Sequence, residues 1–155
     1  MTPEQERHER QQLYDMIVDY WYEVDNTGGH GSSPRFYTED GIFHAGNTPI
    51  QGHQAIEDFL ERRVSRGPRT ARHIVSNFRP RFVGETTATT QCTLVIYAAD
   101  GTPPLPLPAP LGVFDLVDRW EKQADGRWLI ADRKFLTVFS SSIKAAPSNW
   151  SSPSP

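Results

Sequence analysis

The chain has 155 residues, 37% of them hydrophobic and 23% charged, with a net charge of −3. That length fits one domain with a sizeable core, and the charge balance favours neither nucleic acid nor an anionic membrane surface. The single cysteine, Cys92, excludes an internal disulfide and supports no zinc pattern; no apolar run is long enough to span a bilayer.

In chain order, the charged start Met1 to Arg7 has no apolar signal region, so a cytoplasmic protein is expected. Residues 4–26 read as an amphipathic helix, with Leu13, Met16, Ile17, Tyr20, Trp21 and Val24 at helical spacing. Thr2-Pro3 marks its start and Asn26-Thr27-Gly28-Gly29 its stop. Asp25 therefore falls in the last turn, where the helix dipole disfavours a carboxylate. Either a functional reason keeps it there or it is a solvated helix-end acid. His30 begins a loop, Pro34-Arg35-Phe36-Tyr37 reads as a helical turn, and Ile42-Phe43-His44-Ala45 as a strand. Surface roles are expected for His30 and His44. A second helix is predicted over 53–66, with Ala55, Ile56, Phe59, Leu60 and Val64 in one stripe. Arg62, Arg63 and Arg66 read as its solvated, dipole-favoured end.

Strands follow. Thr70 to Asn77 is centred on Ile74-Val75, with Pro68 and Pro80 outside its ends. Alternation puts Ala71, His73, Val75 and Asn77 on one face. A histidine with such neighbours is a candidate buried imidazole, suited to proton transfer near neutrality; the alternative is a core or rim histidine satisfied by a hydrogen bond. The run 86–99 is rich in Thr, Val, Ile and Tyr. Residues 100–110 carry too many prolines for a helix or central strand and read as a stiff loop, either inert or covering a cavity mouth. Residues 111–123 form a strand with Phe114, Leu116, Asp118 and Trp120 on one face, Asp125-Gly126 a hairpin turn, and Trp128 to Phe139 the last strand. The predicted division is one domain over 1–139 and a Ser/Pro-rich tail over 140–155, which Trp150 anchors.

Helices first and strands afterwards mean an α+β fold. A curved, mostly antiparallel sheet with the long first helix in its concavity buries that helix's apolar face and leaves a pocket between the two.

The chain carries in succession Asp25 at the helix end, Phe36-Tyr37-Thr38-Glu39-Asp40-Gly41, Gln51-Gly52-His53-Gln54-Ala55-Ile56, Arg72-His73-Ile74-Val75-Ser76-Asn77, and Asp125-Gly126-Arg127-Trp128 with Arg133. In this order and spacing they resemble the SnoaL-like branch of the NTF2-like superfamily. The resemblance implies a cone-shaped α+β barrel with a deep apolar cavity, and a homodimer or homotrimer. Relatives include scytalone dehydratase, the dehydrochlorinase of lindane breakdown, polyketide cyclases, steroid isomerases and the small subunit of ring-hydroxylating dioxygenases. In the dehydratase and dehydrochlorinase a strand histidine and a helix-end aspartate work as a pair, and His73 and Asp25 match those positions. The dehydrochlorinase's first-helix lysine has no counterpart here; that helix offers Tyr20 and Trp21. The dehydratase's carbonyl-polarising tyrosines leave Tyr14, Tyr22, Tyr37 and Tyr97 as candidates. Arg133 is either a site cation or an outward surface residue.

The implied function is cofactor-independent acid–base chemistry (dehydration or another lyase reaction, isomerisation or cyclisation) on a small apolar, aromatic or polyketide-like molecule. His73 is the expected base or acid and Asp25 its orienting group. Trp21, Tyr22, Phe43, Phe59, Tyr97 and Phe114 are the expected substrate-binding walls. The alternative is a non-catalytic module, such as a dioxygenase small subunit or a small-ligand binding protein. His30, His44, His53 and His73 lack close ligand spacing, so no metal is expected.

Overall fold

The computed structural model describes residues 1–29, 31 and 33–142; His30, Trp150 and the tail beyond residue 142 lie outside the described residues. Helix α1 runs Pro3–Thr27. Its start is a capping box: the Gln5 amide donates to Thr2 Oγ1 at 3.2 Å and the Thr2 amide donates to Gln5 Oε1 at 2.7 Å. Its end is set by Gly28, left-handed at φ +73°, whose amide donates to the Val24 carbonyl. A Cβ at Gly28 would lie 2.6 Å from Val64 Cγ2. Glycine therefore lets the end of α1 approach α2 (His53–Val64) closely, which brings Asp25 and Arg63 to one corner.

A 3₁₀ turn over Ser33–Phe36 leads into β1 (Tyr37–Ala45) and β2 (Thr48–Gln51), an antiparallel pair. After α2 come β3 (Arg69–Phe82), β4 (Thr87–Asp100), β5 (Gly112–Lys122) and β6 (Trp128–Ser140). The sheet order is β2-β1-β6-β5-β4-β3. All neighbours are antiparallel except β1 and β6, which pair parallel with Ile42 opposite Asp132. The predicted barrel is not closed: β2 and β3 are the two edges.

Edge position explains a strand boundary that differs from expectation. Pro80 was expected to stop the third strand, yet it lies inside β3, opposite Thr90. An edge strand has a free side on which the missing N–H costs nothing. Between Ser76 and Arg79 the register shifts, and Asn77 takes φ +54°. The irregularity reverses the inside–outside parity. Ala71, His73 and Val75 face inward before it; beyond it Asn77 is exposed and Phe78 takes the inner side against Tyr14, ring centroids 5.5 Å apart.

The core lies between α1 and the concave sheet face. Leu13, Ile17, Tyr20, Trp21 and Val24 of α1 form one cluster with Cys92, Leu94 and Ile96 of β4, Leu116 and Trp120 of β5, and Ile130 of β6. Each fully buried aliphatic side chain contributes about 1.5–3 kcal/mol. Two of the buried indoles find partners: Trp120 Nε1 donates to Thr90 Oγ1 at 2.9 Å, and Trp128 Nε1 donates to Glu9 Oε2 at 2.6 Å, whereas Trp21 Nε1 has none among the described residues.

Candidate active site

Asp25 and His73, 48 residues apart in sequence, meet where the end of α1 crosses β3. His73 Nδ1 lies 2.6 Å from Asp25 Oδ1, and the His73 backbone amide donates to Asp25 Oδ2 at 3.0 Å. The two side chains are 3% and 9% exposed respectively. The carboxylate disfavoured by its own helix dipole is thus held by two donors from the neighbouring strand. A carboxylate only accepts, so the proton of the shorter bond belongs to Nδ1, and Nε2 of the neutral ring is left as an acceptor. Nε2 has no hydrogen-bond partner among the described residues.

The Trp21 ring stacks on the imidazole, with centroids 4.1 Å apart and planes inclined by 13°. With Asp25 on one ring nitrogen and the indole on one face, the imidazole plane is set from two directions. His73 lines an internal cavity of about 120 Å³ together with Tyr20, Trp21, Phe43, Phe59, Arg63, Leu111 and Phe135. That volume is a few water molecules' worth. Only a small reacting end of a ligand fits without movement. Phe59, Arg63 and Leu111 also line an adjoining outer bowl of about 600 Å³.

The structure distributes the expected wall residues unevenly. Trp21, Phe43 and Phe59 line the cavity. Phe114 stands behind it, half-buried, edge-on to Phe135 at 6.1 Å. Tyr22 does not reach it: successive helix residues point about 100° apart, so burying Trp21 leaves Tyr22 68% exposed. Tyr97 is also a correction. It follows the inward Ile96 on β4, so it points out through the other face and lines a crevice with Leu105, Pro106 and Leu107 of the proline-rich loop. That loop lies over the outer sheet face, while its last neighbour, Leu111, reaches the cavity.

Two arginines differ from expectation. Arg133 is neither a surface residue nor a cavity-wall cation. It is fully buried, with Nε and Nη2 donating to Asp118 Oδ1 and Oδ2 at 2.8 and 2.7 Å. Burial, the largest influence, would lower its pKa, but the Asp118 charge and hydrogen bonds together with Tyr37 and Tyr20 outweigh this and hold it above the ordinary value. Its guanidinium lies 4.2 Å from the Tyr20 ring centroid and 5.3 Å from that of Trp21, supporting the aromatic floor beneath His73. Arg63, expected on a solvated face, is half-buried in the cavity wall. The signal was present in the sequence: Arg63 follows Phe59 by four residues and Leu60 by three, so it continues the apolar stripe. Tyr20, expected as core, is also part of the cavity wall.

His53 and His44 stand away from the cavity. His53 Nε2 lies 2.9 Å from the Tyr37 carbonyl oxygen, and His44 Nε2 lies 3.3 Å from Asp132 Oδ1. Among the described residues no three His, Cys, Asp or Glu side chains form a metal-holding group. Also among them, no helix is long and apolar enough to cross a membrane.

A helix cradled in a curved, open six-stranded sheet, with a pocket between the two, defines an NTF2-like protein. The model of the SnoaL-like domain matches residues 5–134, and the chain belongs to that family. No curated protein matches it. Among solved structures it is similar to a protein named provisionally as a scytalone dehydratase, from Novosphingobium aromaticivorans. The two share 22% identity over 96% of each chain, with a TM-score of 0.74. It is also similar to a Catenulispora acidiphila protein in complex with S-DNPA, at 19% identity over 82% of this chain and 91% of that one, TM-score 0.68. ActVI-ORFA of Streptomyces coelicolor matches at 17% identity over 83% and 96% of the two chains, TM-score 0.67. At these identities the likeness is one of fold.

Proposed function

We propose that this chain is an acid–base enzyme of the dehydratase, isomerase or cyclase kind, acting on a small, largely apolar molecule whose reacting end enters the inner cavity. His73 is the general base through Nε2, and Asp25 is the positioning group. The single observation that carries this is the 2.6 Å contact between His73 Nδ1 and Asp25 Oδ1, made at the wall of a cavity otherwise lined mainly by aromatic and aliphatic side chains. As Nε2 takes a proton from substrate, the ring becomes a cation facing the Asp25 carboxylate at Nδ1 and stacked on the Trp21 ring. The same Nε2–H can then return the proton to a leaving hydroxyl or to another carbon. The proton ledger closes within the imidazole and substrate. Family membership and the dehydratase-like neighbour support the reading.

The test does not need the natural substrate. Small aromatic ketones and β-hydroxy ketones are incubated with the protein in D₂O, and deuterium entry beside the carbonyl is followed by NMR. His73→Ala and Asp25→Asn should each slow exchange by about 10²–10⁴-fold, with unchanged circular dichroism. Exchange at the wild-type rate in both variants rejects the reading.

A further inference from the structure

The residue that joins the inner cavity to the outside is a cation. Arg63 lines the 120 Å³ cavity with His73, the 600 Å³ bowl with Arg62, Arg66 and Arg69, and a third depression of about 370 Å³ with Asp25 and Arg69. It is half-buried, and among the described residues no carboxylate lies within ion-pair distance of it. Acids nearby are already engaged. Asp25 gives both oxygens to His73, and Asp100, the one acid lining the bowl, receives Arg69 Nη1 at 2.8 Å.

We propose that the substrate carries an oxyanion, which the Arg63 guanidinium binds at the cavity throat while the apolar reacting end passes between Phe59 and Leu111 toward His73. This names the substrate class for the reaction proposed above and rests on that reading for the direction of the reacting end. The physical reasons are three. A partly desolvated guanidinium without a counter-ion is unfavourable, and a bound anion offsets that cost. Burial, and then the neighbouring Arg69 charge, push the Arg63 pKa down, and Tyr20 and Asp25 offset only part of this, so a bound anion would stabilise the cation further. The bowl holds four guanidinium groups and one carboxylate, so its field draws an anion to the mouth. The planar fork of arginine suits carboxylate and phosphate alike. The inner cavity is too small for a whole drug-sized molecule, so the charged end remains outside.

The probes are 4-phenylbutanoate, its neutral amide 4-phenylbutanamide, and 4-phenylbutyl phosphate, measured by calorimetric titration at low salt. Wild type should bind the carboxylate about tenfold tighter than the amide. Raising the salt should narrow that gap. In Arg63→Gln the preference should collapse; Arg63→Lys, which keeps the charge but not the fork, should retain part of it. The phosphate arm separates the two sources. Tighter binding than the carboxylate indicates a phosphorylated handle, and weaker binding a simple organic acid. Equal wild-type affinity for carboxylate and amide overturns the proposal, as does a full preference in a folded Arg63→Gln. None of these readouts needs turnover, so this proposal can fail while His73 and Asp25 still control deuterium exchange, and the reverse.

Discussion

Asp118→Ala is the sharpest probe of how this fold supports its cavity. The carboxylate accepts two hydrogen bonds from Arg133, and both side chains are completely buried. Arg133 Nη1 has no hydrogen-bond partner among the described residues even with Asp118 present. Removing the acid leaves a whole guanidinium in the core without a counter-charge, facing Tyr20 and Trp21 as its remaining partners. Breaking a buried pair in this way costs about 3–5 kcal/mol. For a chain of this length, each kcal/mol lowers Tm by roughly 2–4 °C, so the expected fall is about 6–20 °C. Urea unfolding should show a lower midpoint with little change in slope. The double variant Asp118→Leu, Arg133→Met removes both charges together and should recover most of the loss, because an apolar pair of similar volume has no desolvation cost to offset. A single variant within about 1 kcal/mol of wild type would refute the reasoning, as would a double variant no better than the single one.

Three further outcomes follow from the packing. Burial, with Asp118 next, pushes the Cys92 thiol up to about 12, so at pH 8 the folded protein should be inert to Ellman's reagent; one thiol per chain should react in denaturant. Burial alone would raise the Glu9 pKa, but donors from Lys122 and Trp128 hold it below the ordinary value. The stability that Glu9 contributes over Glu9→Gln should therefore be complete above its unfolded pKa of about 4.3 and fade as pH falls through the lower folded value. A gap in unfolding free energy that instead grew on acidification would contradict this. Gly41→Ala should cost about 1–3 kcal/mol by overpacking, because a Cβ there would lie 2.9 Å from the Ile130 carbonyl oxygen and from Tyr37 Cβ; an unchanged melting curve would show that β1 shifts freely.

Short-range pattern carried much of the fold. The first helix, read over 4–26, is observed over Pro3–Thr27, and the last strand, read over 128–139, over Trp128–Ser140. Both are set by spacing within a few residues, by a local cap or by a turn. Asp25 in a final helical turn and His73 on a face with Ala71 and Val75 were legible for the same reason. Thr48–Gln51 was not legible as a strand, because four residues with a proline become one only by pairing with β1. Nor was the parallel pairing of β1 with β6, which joins segments from the two ends of the domain.

What the sequence determined by itself was therefore periodic and local: which residues turn inward together, where the chain breaks, and which titratable groups fall at element ends. Tertiary structure alone decided the distances on which chemistry depends. It placed an imidazole 2.6 Å from a carboxylate 48 positions away, buried Arg133 on Asp118, set Arg63 in a cavity wall with no carboxylate at ion-pair distance among the described residues, and sent Tyr97 out through the sheet. Periodicity says which way a side chain points. What it points at depends on sheet order and the angle at which helices cross it, and those are set by the packing of the whole core.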